Sequence, residues 1–248
     1  MNIKNLIKKY DSLIDVDKSL EKEVQTQVMF KQLKTYRNAL CSKTKSINDI
    51  LKIEYAYIIS SLNNRHKIWA YDYMTFPRRI GETWESLCKG PFHNANIRLF
   101  QPNLQKLKDD LNLPMQLWDI IGDVNLRQDF HFYLKKSPHV IDFKSSFNSN
   151  EKGNVQRLKT IGALYKLWKP DSKLYILMRQ GRENNPYLMH LEPNWTVLCG
   201  NDAYAEIKRV THVDLQGWIK KHVRFKEHLD RSFYKHLEKE SLVKYLSW

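Results

Sequence analysis

The sequence predicts an α/β protein in which helices flank a mixed central β-sheet and further helices are added at both ends. Residues 1–75 contain no Gly and no Pro, and their apolar side chains recur at roughly helical spacing. The middle of the chain then follows the order strand, strand, helix, strand, and a helix between two strands indicates a crossover connection within a mixed sheet. Helical periodicity returns over residues 213–246.

Two adjacent strands are predicted from alternation and composition. Apolar side chains alternate with less apolar ones over residues 130–134, a pattern that is typical of a strand. Residues 139–146 are rich in Val, Ile and Phe and predict a second strand. The residues between them, 135–138, are interpreted as a turn, because Pro138 is expected to lie outside a hydrogen-bonded ladder.

The rest of the predicted core lies on either side of these strands. Downstream come a polar loop over 148–154, a helix over 155–168, a strand over 174–178, a polar loop over 179–186 and strands over 187–191 and 196–199. Upstream, residues 81–88 predict a short helix that Gly90 and Pro91 close, and residues 103–121 are expected to be helical with a break at Pro114. The simplest organisation is one domain over 1–248, with a helical N-terminal region (1–75), an α/β core (76–212) and C-terminal helices (213–248).

Charge and cysteine content restrict the partner and the compartment. The chain has 41 basic and 27 acidic residues, and its net charge of +14 suits a large polyanion such as nucleic acid. Its three cysteines are too widely spaced for a disulfide framework or a CxxC metal site. No apolar stretch approaches the roughly 18 residues of a membrane-spanning helix, and the N-terminus lacks the apolar core of a secretory signal. We therefore expect a cytoplasmic protein with no membrane partner.

A group of carboxylates and a lysine carries the clearest chemical signal. Asp129 starts the first predicted strand, and Asp142 and Lys144 lie two residues apart on the second, so that their side chains share a face. If the strands form a hairpin, Asp129 and Asp142 can converge at one end of the sheet. Two carboxylates there form an oxygen-ligand site that suits Mg²⁺. A lysine beside them can hold a phosphate oxygen, orient water or stabilise developing negative charge.

The same acid–lysine spacing occurs at two other places, Asp171–Lys173 and Glu206–Lys208. The first of these follows a proline in a turn. The second is compatible with a strand, but its nearest upstream acid, Asp202, is too close to be a hairpin partner. The segment Asp142–Lys144 differs because it follows a buried-strand pattern and has a strand-borne acid 13 residues earlier. The competing interpretation of all three is a solvated ion pair without a chemical role.

These residues resemble the core of the PD-(D/E)xK nucleases, the superfamily that includes type II restriction endonucleases. The resemblance is carried by Asp129, the alternating strand, the polar turn and the segment Ile141-Asp142-Phe143-Lys144. It covers about residues 122–168 clearly, and it implies a restriction-endonuclease-like sheet. It also implies that Asp129 and Asp142 bind the Mg²⁺ cofactor and that Lys144 is the catalytic lysine.

Two features of this resemblance leave alternatives open. Gln128 stands where the family often has proline, a residue that is not a ligand, and Asp123 is a rival to Asp129 as the first acid. Many such nucleases also carry a glutamate on a helix ahead of the core. Glu85 fits that catalytic role, with Glu82 as the neighbouring alternative and a plain solvent-facing acid as the competing interpretation.

Two polar loops are expected to hold or read DNA. The first follows the lysine strand and opens the crossover helix, where short polar side chains and a helix N-terminus suit phosphate contacts. The second follows the third strand, and its Arg and Asn side chains are able to pair with guanine and adenine. The predicted DNA-binding residues are Asn148, Asn150, Lys152, Asn154, Arg157, Arg179, Arg182, Asn184 and Asn185. The competing interpretation is that both loops are ordinary polar turns.

Together these features predict a Mg²⁺-dependent type II restriction endonuclease that hydrolyses phosphodiester bonds in double-stranded DNA at a short specific sequence. A palindromic sequence is most simply read by a two-fold homodimer. The resemblance also implies a cognate DNA methyltransferase. One alternative is a non-catalytic nucleic-acid-binding protein, which the net charge alone supports equally well. The other is a junction-resolving or repair nuclease of the same superfamily.

Overall fold

The structure is a computed structural model that describes residues 46–48, 51–52, 55, 59, 75–99, 104–117, 130–134, 136–145, 152–182 and 186–246. Of these, the residues up to Thr83 and from His222 onward form one compact unit, and Trp84–Lys221 form a second. The single domain over 1–248 stays a prediction. No helix in the described ranges is long and apolar enough to cross a membrane.

The second unit is built on a mixed β-sheet, which in the described residues has four strands in the order β1-β2-β3-β4. The strands are β1 (Phe130–Leu134), β2 (Ser137–Lys144), β3 (Lys173–Met178) and β4 (Thr196–Cys199). β1 and β2 are antiparallel, with Phe130 opposite Ile141, whereas β2, β3 and β4 are parallel. The predicted α/β class, hairpin and mixed sheet are therefore confirmed.

Helices precede, connect and follow these strands. They are α1 (Thr75–Asn94), α2 (Leu104–Leu111), α3 (Lys152–Trp168), α4 (Asn201–Thr211), α5 (Leu215–His222), α6 (Phe225–His228) and α7 (Arg231–Lys239), with 3₁₀ helices at Pro186–Leu191 and Val243–Leu246. α3 is the predicted crossover between β2 and the parallel strand β3. The helical C-terminal region from about residue 213 is confirmed.

Strand β2 packs against a different helix on each face, because successive side chains of a strand point to opposite sides. On one face Val140 belongs to the same buried cluster as Leu158 of α3. On the other face the ring of Phe143 lies 6.4 Å from that of Phe92 of α1. Asp142 shares the face of Val140 and is therefore directed toward α3.

The helix predicted to close at Gly90 and Pro91 continues through both residues and ends at Asn94. Proline inside a helix removes one backbone hydrogen bond. Here it lies in the last turns, and the next residue, Phe92, is fully buried against the sheet. The prediction of an early end was wrong because tertiary packing outweighs the cost of the missing bond.

Two segments for which strands were considered are helical. Residues 187–191 lie in the 3₁₀ helix, and residues 206–208 lie in α4. In the first segment Leu188 and Leu191 are both buried, a three-residue spacing that matches the period of a 3₁₀ helix. Short apolar runs are ambiguous between helix and strand, and here the burial pattern decides between them.

The turn predicted over 135–138 is shorter in the structure. β1 ends at Leu134 and β2 already begins at Ser137, so Pro138 is a strand residue opposite Tyr133. Pairing between β2 and β3 begins only at His139. Pro138 thus has a strand on one side alone, where a residue without an N–H is tolerated.

Gly162 of α3 is required by packing. A Cβ at this position would lie 2.6 Å from Nε1 of Trp195, a buried ring whose Nε1 donates to the Leu158 carbonyl at 2.8 Å. We expect Gly162→Ala to lower the free energy of unfolding by about 2 kcal/mol, because it displaces the ring and its hydrogen bond. Nothing lies within 4 Å of a Cβ at Gly153 on the same helix, so Gly153→Ala should be neutral or stabilising. Urea unfolding of both variants measures this difference, and equal stabilities would contradict it.

Candidate active site

Asp142 and Lys144 form the centre of the candidate site, at the carboxyl end of β2. The Asp142 side chain is 1% exposed, and Lys144 Nζ lies 2.5 Å from its Oδ1. Residues two apart on a strand share a face, which explains why these two side chains meet. The structure therefore brings together the second acid and the lysine of the predicted constellation.

Helix α3 supplies a second cation to the same carboxylate. An Nη atom of Arg157 lies 3.7 Å from Asp142 Oδ2, and Arg157 Nε donates to Asn154 Oδ1 at 3.0 Å. Asn154 was predicted in a loop, but α3 already begins at Lys152. The side chains of Lys144 and Arg157 are each 19% exposed, so one buried anion lies between two partly exposed cations.

The environment of Asp142 fits a cation ligand. A buried carboxylate is costly unless it is paired and hydrogen-bonded. Neither oxygen of Asp142 accepts a hydrogen bond of good geometry from the described residues, so Lys144 and Arg157 offset its charge through ion pairs. Carboxylate oxygens with acceptor capacity to spare are the ligands that Mg²⁺ takes. The carboxylate thus suits a metal, although the two cations compete for it.

The predicted first acid, Asp129, and its rival Asp123 lie outside the described residues. Asp129 is covalently linked to Phe130, whose partner across the ladder is Ile141, the neighbour of Asp142. The described residues contain no group of three His, Cys, Asp or Glu side chains placed to hold a metal. The two-acid site therefore stays a prediction that depends on Asp129.

Glu85 is not brought to Asp142 in the structure. It lies on α1, which packs on the opposite face of the sheet, and its carboxylate is 2.6 Å from Lys89 Nζ. That Nζ in turn lies 4.2 Å from the ring centre of Phe130. The side chain of Glu82 lies outside the described residues. A catalytic role for Glu85 stays a prediction.

The predicted DNA-binding residues have different environments. Asn148, Asn150, Asn184, Asn185 and the side chain of Lys152 lie outside the described residues. Arg182 is exposed and pairs with Glu192. Arg179 is 4% exposed, and its guanidinium donates to Ser145 Oγ at 3.0 and 2.9 Å. Burial lowers the pKa of Arg179 to about 10. Arg179 therefore joins the ends of β2 and β3, and its role in DNA binding stays a prediction.

Two interactions at this edge of the sheet were not predicted from the sequence. They are the hydrogen bonds from Arg179 to Ser145 and the ion pair between Arg157 and Asp142. A usable signal existed for the second. The crossover helix begins at Lys152, eight residues after Lys144. A helix that returns over the sheet starts beside the strand end it leaves, so its first turns face the last residues of that strand.

Comparison with protein-family models finds no match to the chain, and comparisons with curated proteins and with solved structures find none either.

Proposed function

We propose that this protein is a Mg²⁺-dependent endonuclease of the PD-(D/E)xK type, within the class of type II restriction endonucleases, that hydrolyses phosphodiester bonds in double-stranded DNA. The observation that carries the proposal is the contact of 2.5 Å between Lys144 and a carboxylate that is 1% exposed. A buried ion pair costs desolvation free energy that two apolar side chains would avoid. Its presence on a strand that is buried over most of its length favours a chemical role over a structural one.

The arrangement of elements also supports the proposal. A hairpin ends in Asp142 and Lys144, α3 crosses over the sheet, and β3 returns parallel to β2. This order is compatible with the restriction-endonuclease-like sheet that the resemblance implies. The net charge of +14 suits the polyanionic substrate.

In the proposed reaction, water attacks phosphorus while one P–O ester bond breaks, leaving a phosphate end and a hydroxyl end. Asp142 and Asp129 hold Mg²⁺, which when bound supplies Lewis-acid polarisation of the phosphodiester. Lys144 Nζ donates to a non-bridging phosphate oxygen and offsets the negative charge that develops there. The attacking water loses its proton to solvent, and the leaving oxygen takes one up.

The proposal includes a particular assembly and setting. A protomer offers one carboxylate–lysine centre and a duplex has two strands, so a two-fold homodimer cutting a palindromic sequence is the simplest solution. The apolar stripes of segment 1–75 or of the C-terminal helices 226–246 would supply the dimer contact. A cytoplasmic location and a cognate DNA methyltransferase complete the proposal.

A non-catalytic nucleic-acid-binding protein is the second candidate, favoured by the excess of cations around Asp142 as well as by the net charge. Supercoiled plasmid incubated with the protein and Mg²⁺ separates the two. The proposed endonuclease gives discrete linear products, whereas a binding protein gives only a retarded band. A junction-resolving nuclease would instead cut branched DNA and leave linear duplex intact.

The identity of the first acid is tested by two variants. We expect Asp129→Ala to abolish cleavage, because it removes one of two proposed Mg²⁺ ligands. Asp123→Ala should retain most of the activity, since this residue follows a glycine in a predicted turn. Plasmid cleavage at equal protein concentration measures both, and the reverse result would move the first acid six residues upstream.

A further inference from the structure

We propose that Arg157 couples metal binding to DNA binding: it pairs with Asp142 in the free protein and transfers to a DNA phosphate in the complex, which leaves the carboxylate to a divalent cation. This inference rests on the proposed function and adds the regulation of the same site. It assigns Arg157 to the carboxylate centre itself rather than to a neighbouring DNA-reading loop.

The two cations at Asp142 differ in how firmly they are held. Lys144 lies on the same strand, with its Nζ 2.5 Å from Oδ1. The Nη atom of Arg157 is 3.7 Å from Oδ2, beyond hydrogen-bond distance. Arg157 is therefore the cation that is more easily exchanged for another positive charge.

The anchoring of Arg157 allows such an exchange. Its Nε donates to Asn154 Oδ1 at 3.0 Å, one turn away on α3, while one Nη atom lies 3.7 Å from Asp142 Oδ2. The side chain is 19% exposed, so an approaching ligand has access to it. A guanidinium presents a fork of donors that matches the oxygens of a phosphate.

The charge at the centre makes the exchange favourable for metal binding. Lys144 and Arg157 offset the charge of Asp142 and of the proposed second ligand Asp129, so the centre has no net attraction for a divalent cation while both cations are in place. A DNA phosphate brings negative charge and also withdraws the guanidinium from Asp142. Metal and DNA therefore bind cooperatively, and by linkage each raises the affinity of the other by the same factor.

The test uses Mn²⁺ alone as the metal probe, with free Mn²⁺ measured by electron paramagnetic resonance. The wild-type protein should bind Mn²⁺ about tenfold more tightly when a mixed-sequence duplex of about 20 base pairs is present, within the usual range of such couplings. Arg157→Gln should bind Mn²⁺ about tenfold more tightly than wild type without DNA and gain little from the duplex. The duplex is checked for integrity after each titration.

Matched variants separate this effect from a general change in charge. Lys159→Gln removes one positive charge from an exposed position on the same helix and should behave as wild type. Arg157→Lys keeps the charge and should bind Mn²⁺ more weakly than Arg157→Gln in the absence of DNA. If Arg157→Gln does not fold, Arg157→Lys is compared with wild type instead. Arg157→Lys loses the hydrogen bond to Asn154, so its Mn²⁺ affinity should depend less on the duplex than that of wild type.

The outcomes distinguish this inference from the proposed function. Equal Mn²⁺ affinity of wild type and Arg157→Gln without DNA would overturn the coupling, even if Asp142→Asn has lost Mn²⁺ binding. A loss of Mn²⁺ binding in Asp142→Asn would still support the proposed metal site. If Asp142→Asn binds Mn²⁺ as wild type does, the metal does not lie at Asp142, and the proposed function fails with the inference.

Discussion

Lys144→Ala is expected to lower the rate of plasmid cleavage by about 10²–10³, the effect usually seen when one charge-stabilising group is lost. Its Nζ lies beside the buried Asp142 carboxylate, where it can offset negative charge on the phosphate. Binding to DNA should largely survive, because phosphate contacts elsewhere on the protein supply most of the affinity. Cleavage rates and gel retardation, measured on the same preparation, separate the two effects.

A lysine in the same sequence spacing provides the control for this prediction. Lys173 follows Asp171 by two residues, as Lys144 follows Asp142, but both side chains of this second pair are exposed. Lys173→Ala should therefore cut plasmid at the wild-type rate. Wild-type cleavage by Lys144→Ala would show that the site has been assigned to the wrong residues.

Asp142→Ala is expected to abolish cleavage and also to destabilise the fold. Without the acid, Lys144 and Arg157 lose the buried carboxylate that each contacts at the end of β2. Removing one member of a buried ion pair costs about 3–5 kcal/mol. Both cations here are partly exposed, so solvent screening reduces the expected loss to about 2 kcal/mol. Urea unfolding measures this loss, and plasmid digestion measures activity.

Two further variants sharpen this prediction. Asp142→Ala combined with Lys144→Ala should recover part of the lost stability, because one of the two cations that face the missing carboxylate is gone, while cleavage stays absent. Asp171→Ala removes an exposed acid of the same spacing and should change stability by less than about 0.5 kcal/mol. A stable, active Asp142→Ala protein would exclude both a structural and a catalytic role for this carboxylate.

The sheet and the adjacency of Asp142 and Lys144 could be predicted because both depend on local periodicity. Alternation over 130–134 and an apolar run before Asp142 define two strands, and a two-residue spacing places side chains on one face. Nothing non-local is needed for either step. The same is true of the crossover helix between two predicted strands.

The environments of the arginines could not be predicted in this way. Arg157 follows a polar segment and Arg179 begins one, and the sequence describes them in similar terms. The first faces Asp142 because α3 begins at Lys152 and returns over β2, whereas the second is buried against Ser145. These differences depend on where an element begins and what packs on it. The same reason explains the segments that were compatible with strands but are helical. A short apolar run fits either structure, and the packing of its side chains decides which one forms.

The most direct test of the central claim, that Asp142 and Lys144 form the centre of a Mg²⁺-dependent nuclease, is a parallel digest of one supercoiled plasmid with mapped fragment ends. We predict discrete fragments from the wild-type protein and from Asp171→Ala in Mg²⁺. We predict none from Asp142→Ala, and none from the wild-type protein when a chelator removes the metal. Identical fragments from wild type and Asp142→Ala, or undiminished cleavage in the chelator, would contradict the claim.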